Sequence, residues 1–304
     1  MSFLALLTAL ALSYYRPHLK SDLLQHLFFP YAKWLDHNFN GGKKRHGVVA
    51  WLLGAFIPSL LVGIAYYALL EFNVLLGLLF STVILYVVLR FNRFGRPAEK
   101  IITALRNENL SSARETYAKW EGDEADNYSA PELARLSIET TLKHAHYGLF
   151  GPILWFVILG PAGACLYRLS HVLKHSWQPR QHNEFNHFAR KIFGWLDWFP
   201  ARFTAGCFAI VGDFEDAVYC WRIQAQSWPE KDLGIVLASG AGALGTRLGE
   251  PLARRGVLQF RPELGLGDEA DADYLQSAVG LIWRVLVLML GILLLLTFAH
   301  WLGN

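Results

Sequence analysis

Charged residues are few in this chain. Asp, Glu, Lys and Arg make up 17% of its 304 residues, below the ~25% of ordinary soluble domains. The net charge of +3 is small as well and gives no basic face of the kind that holds nucleic acid. Cysteine is scarcer still: Cys165, Cys207 and Cys220 form no CxxC pair. That excludes a disulfide framework or a zinc ribbon and leaves three small, buried hydrophobes. No HExxH pattern occurs either. Met1 to Tyr15 is uncharged and apolar, with neither the basic n-region nor the small-residue cleavage site of a signal peptide. A retained N-terminal helix, interfacial or barely spanning, is expected there.

Apolar residues fill the chain instead. It is 53% hydrophobic and 14% aromatic, and its mean hydropathy is +0.26. This is an integral membrane composition with a substantial polar part. Val48 to Leu70 carries no charge and is long enough to cross a bilayer. Glu71 interrupts, and Phe72 to Leu89 forms a second run so close behind that the two must make a helical hairpin. Lys43, Lys44 and Arg45 precede it, and Arg90, Arg93 and Arg96 follow it. Basic flanks on both outer ends put both in the cytoplasm.

Pro97 to Thr141 is polar. Ala98 to Asn107, Ser111 to Trp120 and Pro131 to His144 read as three amphipathic helices. Ser111 and Ser112 are plausible caps for the second, and Ser129-Ala130-Pro131-Glu132 is a helix start for the third. The loop Glu121-Gly122-Asp123-Glu124-Ala125-Asp126 is acidic and is expected to be solvated.

Gly148 to Tyr167 is apolar but broken by Pro152 and by Gly160-Pro161-Ala162-Gly163. Breaks at membrane depth are tolerated where the segment is buried in protein or lines a cavity. The loop behind it holds Arg168, Lys174, Arg180, Arg190 and Lys191. A full span would put that loop outside, against the positive-inside bias, whereas a re-entrant or partly inserted segment removes the conflict. Trp195 to Val211 is a shorter apolar stretch, Asp213 to Gln226 reads as helix, and Leu233 to Leu248 is rich in Gly and Ala. A polar loop from Arg261 to Asp273 leads into a helix that becomes a terminal span, Val285 to Ala299, with His300 and Trp301 at the far interface. The expected fold is all-α: a polytopic integral membrane protein with about four or five membrane segments. Its parts are an N-terminal helix and basic linker (1–47), a transmembrane hairpin (48–96), a cytoplasmic helical subdomain (97–147), a core with broken membrane segments (148–284) and a C-terminal span (285–304).

Several clusters carry chemistry. Lys143, His144 and His146 abut the apolar run that starts at Gly148, and titratable groups at a membrane boundary point to a site. Asp197-Trp198-Phe199-Pro200-Ala201-Arg202 places an Arg just inside an apolar stretch, where it needs Asp197 or a bound anion as partner. His171 and His175 share a helix face; with His144 and His146 they are either hydrogen-bonded histidines or metal ligands. Asp268, Glu269, Asp271 and Asp273 precede the last helix, either as helix-dipole partners or as magnesium ligands beside a phosphorylated substrate. Gly240-Ala241-Gly242-Ala243-Leu244-Gly245 is a literal GxGxxG without the strand that gives the motif meaning. Close helix packing through small residues, including the Gly245 and Gly249 spacing, explains it better than a phosphate loop.

Taken together, these segments resemble the CobD/CbiB family of cobalamin-biosynthesis membrane proteins, of which AmpE is a divergent relative. Arg135, Ile138 and Glu139 match the family's R-x-x-I-E helix, and Gly148, Pro152 and Trp155 match its A-P-L-F-W segment. Gly160 to Arg168 looks like its G-x-P-G-A-x-x-Y-R run. Phe193-Gly194 and Asp197 to Thr204 look like its F-G and D-x-x-x-x-P-A-R-L-T segments, and Ala241 to Gly249 like A-G-A-L-G-x-R-L-G. The resemblance implies ATP-dependent amide ligation of aminopropanol or its phosphate to adenosylcobyric acid, in a bacterial-type inner membrane. Such chemistry needs an activated carboxylate, a positioned amine and usually a divalent metal beside phosphates.

The chain departs from the family at polar positions. The family's E-N-T-S-D reads Lys143-His144-Ala145-His146-Tyr147, and its N-T-L-D after Tyr-Arg reads His171-Val172-Leu173-Lys174. The S-P-N ahead of the Gly-rich segment is lost around Ser227 to Lys231. The resemblance therefore implies catalytic positions at Glu139, Lys143, His144 and His146. It implies substrate or anion contacts at Arg168, His171, Asp197, Arg202 and Arg247, with a metal at Asp268, Asp271 and Asp273. ATP and Mg2+ are the implied cofactors; the lipid bilayer and a corrinoid or other small molecule are the implied partners. The substitutions leave open a non-catalytic, AmpE-like membrane sensor or regulator that keeps the fold.

Overall fold

A computed structural model describes residues 2–15, 23–91, 94–122, 125–177, 184–254 and 257–302. Arg93, Asp123, Glu124 and Arg180 therefore lie outside the described residues, as do the side chains of His300 and Trp301. The helices are α1 Ser2–Tyr15, α2 Leu23–Phe39, α3 Lys44–Trp51, α4 Ile57–Phe72, α5 Val74–Val88, α6 Gly95–Arg106, α7 Leu110–Glu121 and α8 Ala130–Ala145. They continue as α9 Gly151–Ser176, α10 Phe185–Val211, α11 Phe214–Ile223, α12 Lys231–Leu244 and α13 Ala272–Leu302. One-turn π-helices, Leu52–Phe56 and His146–Phe150, join α3 to α4 and α8 to α9. Among the described residues the fold is all-α but for one short antiparallel pair, β1 Leu252–Arg254 and β2 Val257–Gln259. Among the described residues, Lys44–Phe72, Ala130–Ser176 and Ala272–Ala299 are long and apolar enough to cross a membrane. Phe3–Tyr15 and Val74–Val88 are shorter apolar helices. The protein is a membrane protein.

Contacts divide the chain into two compact units, each assembled from separated segments. The first takes Met1–Phe91, Tyr147–Pro200 and Leu293–Asn304. α4 and α5 form a hairpin that turns at Asn73, two residues beyond the expected interruption at Glu71, and the Asn73 side chain accepts the Leu75 N–H at 2.8 Å as the N-cap of α5. α1 packs on α5, where the Thr8 and Thr82 hydroxyls meet at 3.1 Å. A core of Phe28, Leu35, Trp51, Leu173, Trp177 and Phe185 ties α2 and α3 to α9 and α10. Trp177 donates its indole N–H to the Ala32 carbonyl at 2.9 Å, whereas the Trp51 indole N–H in the same core is buried with no hydrogen-bond partner among the described residues. The break expected in the apolar run is Gly160, at φ 65° and ψ −157° inside α9, directly before Pro161. Pro161 has no N–H to give the helix, and a glycine supplies the conformation that the interruption requires.

The second unit takes Asn92–His146 and Ala201–Ile292. The three amphipathic helices are α6, α7 and α8, packed on one another. α8 starts with a full capping box, Ser129 with Glu132. The cap of α7 is Asn109 and not the expected serines: its side chain takes the Ser112 N–H at 3.1 Å and the Ser111 hydroxyl at 2.9 Å. An Asn side-chain oxygen reaches the free amide while both serines are already on the helix side of it.

α12 packs through small residues against α11, where a Cβ on Gly242 would run into the Asp216 carbonyl, and against α8, where one on Gly240 would run into Leu142. Gly245 and Gly249 do not belong to that helix face. Gly245 ends α12 at φ 67°, and Gly249, at φ 79°, turns the loop beyond it against the Pro262 carbonyl. The loop is then held by bridges from Thr246 to Asp268 and from Leu248 to Leu264, with Leu248, Leu252 and Leu264 buried beneath it.

Candidate functional site

Glu139 and Lys143 lie four residues apart on α8, hence on one face, and both line a cavity of about 220 Å³ in the second unit. Tyr117 and Glu121 of α7 enter from the opposite wall, and Trp228, Gln259 and Arg261 close it from the later chain. Two acidic and two basic side chains thus meet in one small space.

Glu139 fixes the loop that follows α12. One carboxylate oxygen accepts the Gly249 N–H at 2.9 Å, and the other pairs with the Arg261 guanidinium. Arg261 lies 5.2 Å over the Trp228 ring, so its fork is held by an anion on its edge and an aromatic face beneath. One turn earlier on α8, Arg135 pairs with Glu250. Glu250 adopts φ 61°, a left-handed conformation uncommon for a residue other than glycine, so the loop is pinned at both sides of that turn.

Glu121 holds the other end. Its carboxylate accepts from Lys143 Nζ at 2.7 Å and meets His144 Nε2 at 2.7 Å. The His144 ring stacks on Trp120 at 5.7 Å. Burial alone would raise the Glu121 pKa, but the His144 hydrogen bond and the Lys143 charge outweigh it and hold the carboxyl at about 2. Burial, and then the Glu121 charge, push the Tyr117 phenol above its ordinary range. Glu121 was expected in a solvated loop. It closes α7 instead, because Tyr117, Trp120 and Glu121 at i, i+3 and i+4 share the face turned toward α8.

The remaining expected residues lie elsewhere. His146 is buried, with Nδ1 3.1 Å from the Thr204 hydroxyl, and is not a cavity residue. Arg202 pairs with Asp232 at 3.0 Å, and Asp197 accepts the Tyr167 hydroxyl at 2.6 Å. Arg247 donates its backbone N–H to the Asp268 carbonyl at 3.0 Å.

In the acidic run, Asp271 caps the Asp273 and Tyr274 amides, Asp268 accepts the Tyr274 hydroxyl at 3.0 Å, and Asp273 pairs with Arg106 at 2.6 Å. Among the described residues no three His, Cys, Asp or Glu side chains come together as a metal-ligating group. Arg168 and His171 meet in the first unit, Nη1 to Nδ1 at 3.2 Å. Arg261 and Trp228 were not foreseen as site residues. The only signal in the sequence is an Arg between Phe260 and Pro262 at the edge of a polar loop.

Residues 24–282 match the protein family described as CobD/Cbib protein. The chain belongs to the CobD/CbiB family. A CobD/CbiB relative from Stutzerimonas stutzeri, named cobalamin biosynthesis protein CobD, is 33% identical over 275 residues, covering 84% of this chain and 87% of that protein. One of the same name from Chromobacterium violaceum is 31% identical over 228 residues, covering 72% and 73%. Another from Leptospira interrogans is 26% identical over 224 residues, covering 71% and 70%. No solved structure matches the chain. The positions at which this CobD/CbiB protein departs from the pattern quoted above fall into two groups. Lys143 and His144 gather on Glu121 in the second unit, whereas Tyr147, His171 and Lys174 cluster in the first.

Proposed function

We propose that this protein acts in cobalamin biosynthesis as a membrane-bound amide ligase, joining aminopropanol or its phosphate to adenosylcobyric acid, and that the cavity around Glu139 and Lys143 receives the amine-bearing partner. The carrying observation is the mixed charge of the cavity: Glu121 and Glu139 beside Lys143 and Arg261 in about 220 Å³. That volume is below the roughly 300–1,000 Å³ of pockets that enclose drug-sized ligands, so it suits a small molecule and not a macrocycle. A zwitterion with an ammonium at one end and a phosphate at the other matches both signs. Family membership and the names of the relatives support the pathway.

The residues divide the work by their chemistry. Lys143 and Arg261 offer donors to phosphate oxygens, and Glu139 orients the amine. Glu121, with its carboxyl at about 2, stays charged and is too weak a base to take the proton that the attacking amine loses; it positions Lys143 and His144. Asp268, Asp271 and Asp273 are engaged separately and do not form a resident magnesium site among the described residues. ATP and Mg2+ enter this reading as a cosubstrate pair, because magnesium is commonly bound through one or two carboxylates together with substrate phosphates. The protein resides, in this reading, in a bacterial-type inner membrane. The test is purified protein with adenosylcobyric acid, ATP, Mg2+ and aminopropanol phosphate. Formation of the adenosylcobinamide phosphate is expected. No product, together with no growth of a cobalamin auxotroph lacking the family enzyme, would overturn the enzymatic reading.

A further inference from the structure

The cavity around Glu139 and Lys143 has an apolar side that its charges do not explain. Leu136, Leu233, Leu237 and Leu252 line it together with the acids and bases. Leu136 lies one turn before Glu139 and Thr140 on α8, and Leu233 and Leu237 are four apart on α12, so each helix turns one row of side chains to the same space. Leu252 belongs to β1, whose hairpin also brings Gln259 to the wall. None of the four leucines is more than 9% exposed. All of them belong to the second unit.

A ligand that carried only an ammonium and a phosphate would use the charged groups and leave the leucines facing nothing. Water placed there gains no hydrogen bond from a leucine. Such a wall favours an aliphatic group on the ligand, because that group leaves water at the same time as the wall does. The ligand chemistry that answers both sides is a short amino alcohol phosphate with an aliphatic branch between its charged ends. Aminopropanol phosphate has such a branch, a single methyl. Ethanolamine phosphate carries the same two charged ends without it.

We propose that Leu136, Leu233, Leu237 and Leu252 form a selectivity wall that recognises the aliphatic branch of the amino alcohol. This rests on the reading of the cavity as the amine-binding site, and it assigns to the leucines a choice that the charged residues cannot make. Glu139, Lys143 and Arg261 meet the same groups on both amines. A methyl in a hydrophobic pocket is worth roughly 10–200-fold in kcat/KM.

The test uses the full chain in nanodiscs with adenosylcobyric acid, ATP and Mg2+. Aminopropanol phosphate and ethanolamine phosphate compete in one reaction, and the two products are counted by mass spectrometry. A preference of about tenfold or more for the branched amine is expected. In Leu233→Ala and in Leu237→Ala it should fall to about threefold or less, while the ethyl-branched homologue should gain on aminopropanol phosphate. Truncating a packed leucine lowers stability, but competing amines share one folded fraction, so partial unfolding leaves their ratio unchanged. Leu237→Val, a milder change, should move both ratios in the same direction. Equal use of the two amines by the wild type, or ratios unchanged in all three leucine variants, overturns this proposal and leaves the ligase reading intact. No product from either amine overturns the ligase reading, and the selectivity wall falls with it.

Discussion

Lys143 Nζ lies 2.7 Å from a carboxylate oxygen of Glu121, at the position where the family pattern carries an acid of its own. Lys143 is therefore paired with a carboxylate from α7 that lines the same cavity. With Glu139 still on α8, the cavity keeps two acids. The loss of acidic chemistry that the residue string implies is smaller in three dimensions, because Glu121 of α7 lines the same cavity as Glu139.

The Glu121 pairing sets an acid limb in stability. Its carboxyl is lowered from 4.5 to about 2 on folding. A depressed carboxylate contributes stability that is fully present above the unfolded value and is lost as pH falls through the folded one. The window is therefore pH 4.5 down to about 2. The full shift corresponds to about 3 kcal/mol; solvent reaches this site in part, so about 1–2 kcal/mol is expected. Glu121→Gln should lose that amount near neutral pH and flatten the acid limb in thermal melts recorded across the window. An unchanged limb in the variant would assign the acid sensitivity to another group.

Gly160 is a second point of control. At φ 65° and ψ −157° it occupies a region essentially reserved for glycine, costing other residues about 1–3 kcal/mol. Space is not the limit, since a Cβ would find only Tyr66 at 3.9 Å. Gly160→Ala should lower the melting temperature through backbone strain alone. Gly280→Ala, in α13 with open space around it, should leave melting unchanged or raise it slightly.

Much of the fold is legible in the sequence because its signals are local. The hairpin follows from two apolar runs with a residue or two between them, the start of α8 from Ser129 and Glu132, and the break in α9 from Gly160-Pro161. The cap at Asn109 and the β1–β2 pair are missed, since neighbouring Ser and Asn compete as caps and three-residue strands carry no periodicity. The site is legible only where one helix carries it: Glu139 and Lys143 share α8. Glu121 is 22 residues from Lys143, and Arg261 is 122 residues from Glu139. No pattern within a helix reveals partners at those separations. The division into two units built of interleaved segments is equally a matter of tertiary packing.

The cysteines should be silent to reagents in the folded protein. All three are buried and free. For Cys220, burial and then the Asp216 charge push the thiol up to about 11. At pH 8 its thiolate is a minor species, and the thiolate is the reactive form. Maleimide should modify Cys220 at least about a hundredfold more slowly than a free thiol, with full modification after denaturation. Rapid labelling of the native protein at this position would mean that α11 opens away from α12.

Arg261 separates a structural clamp from a substrate contact. Lysine keeps the charge but cannot present a planar fork to Glu139 while lying flat on Trp228. Arg261→Lys should therefore retain the fold, with a loss of about 1 kcal/mol in stability. If the cavity binds the amine-bearing partner, KM for aminopropanol phosphate should rise about tenfold or more, because a bidentate phosphate contact becomes a single point charge. Glu139→Gln should behave differently. It removes the anion from both Arg261 and the Gly249 amide, so the loop loosens and kcat should fall together with stability. Equal effects of the two variants on KM, kcat and melting would reduce both residues to loop anchors and move the ligand site away from α8.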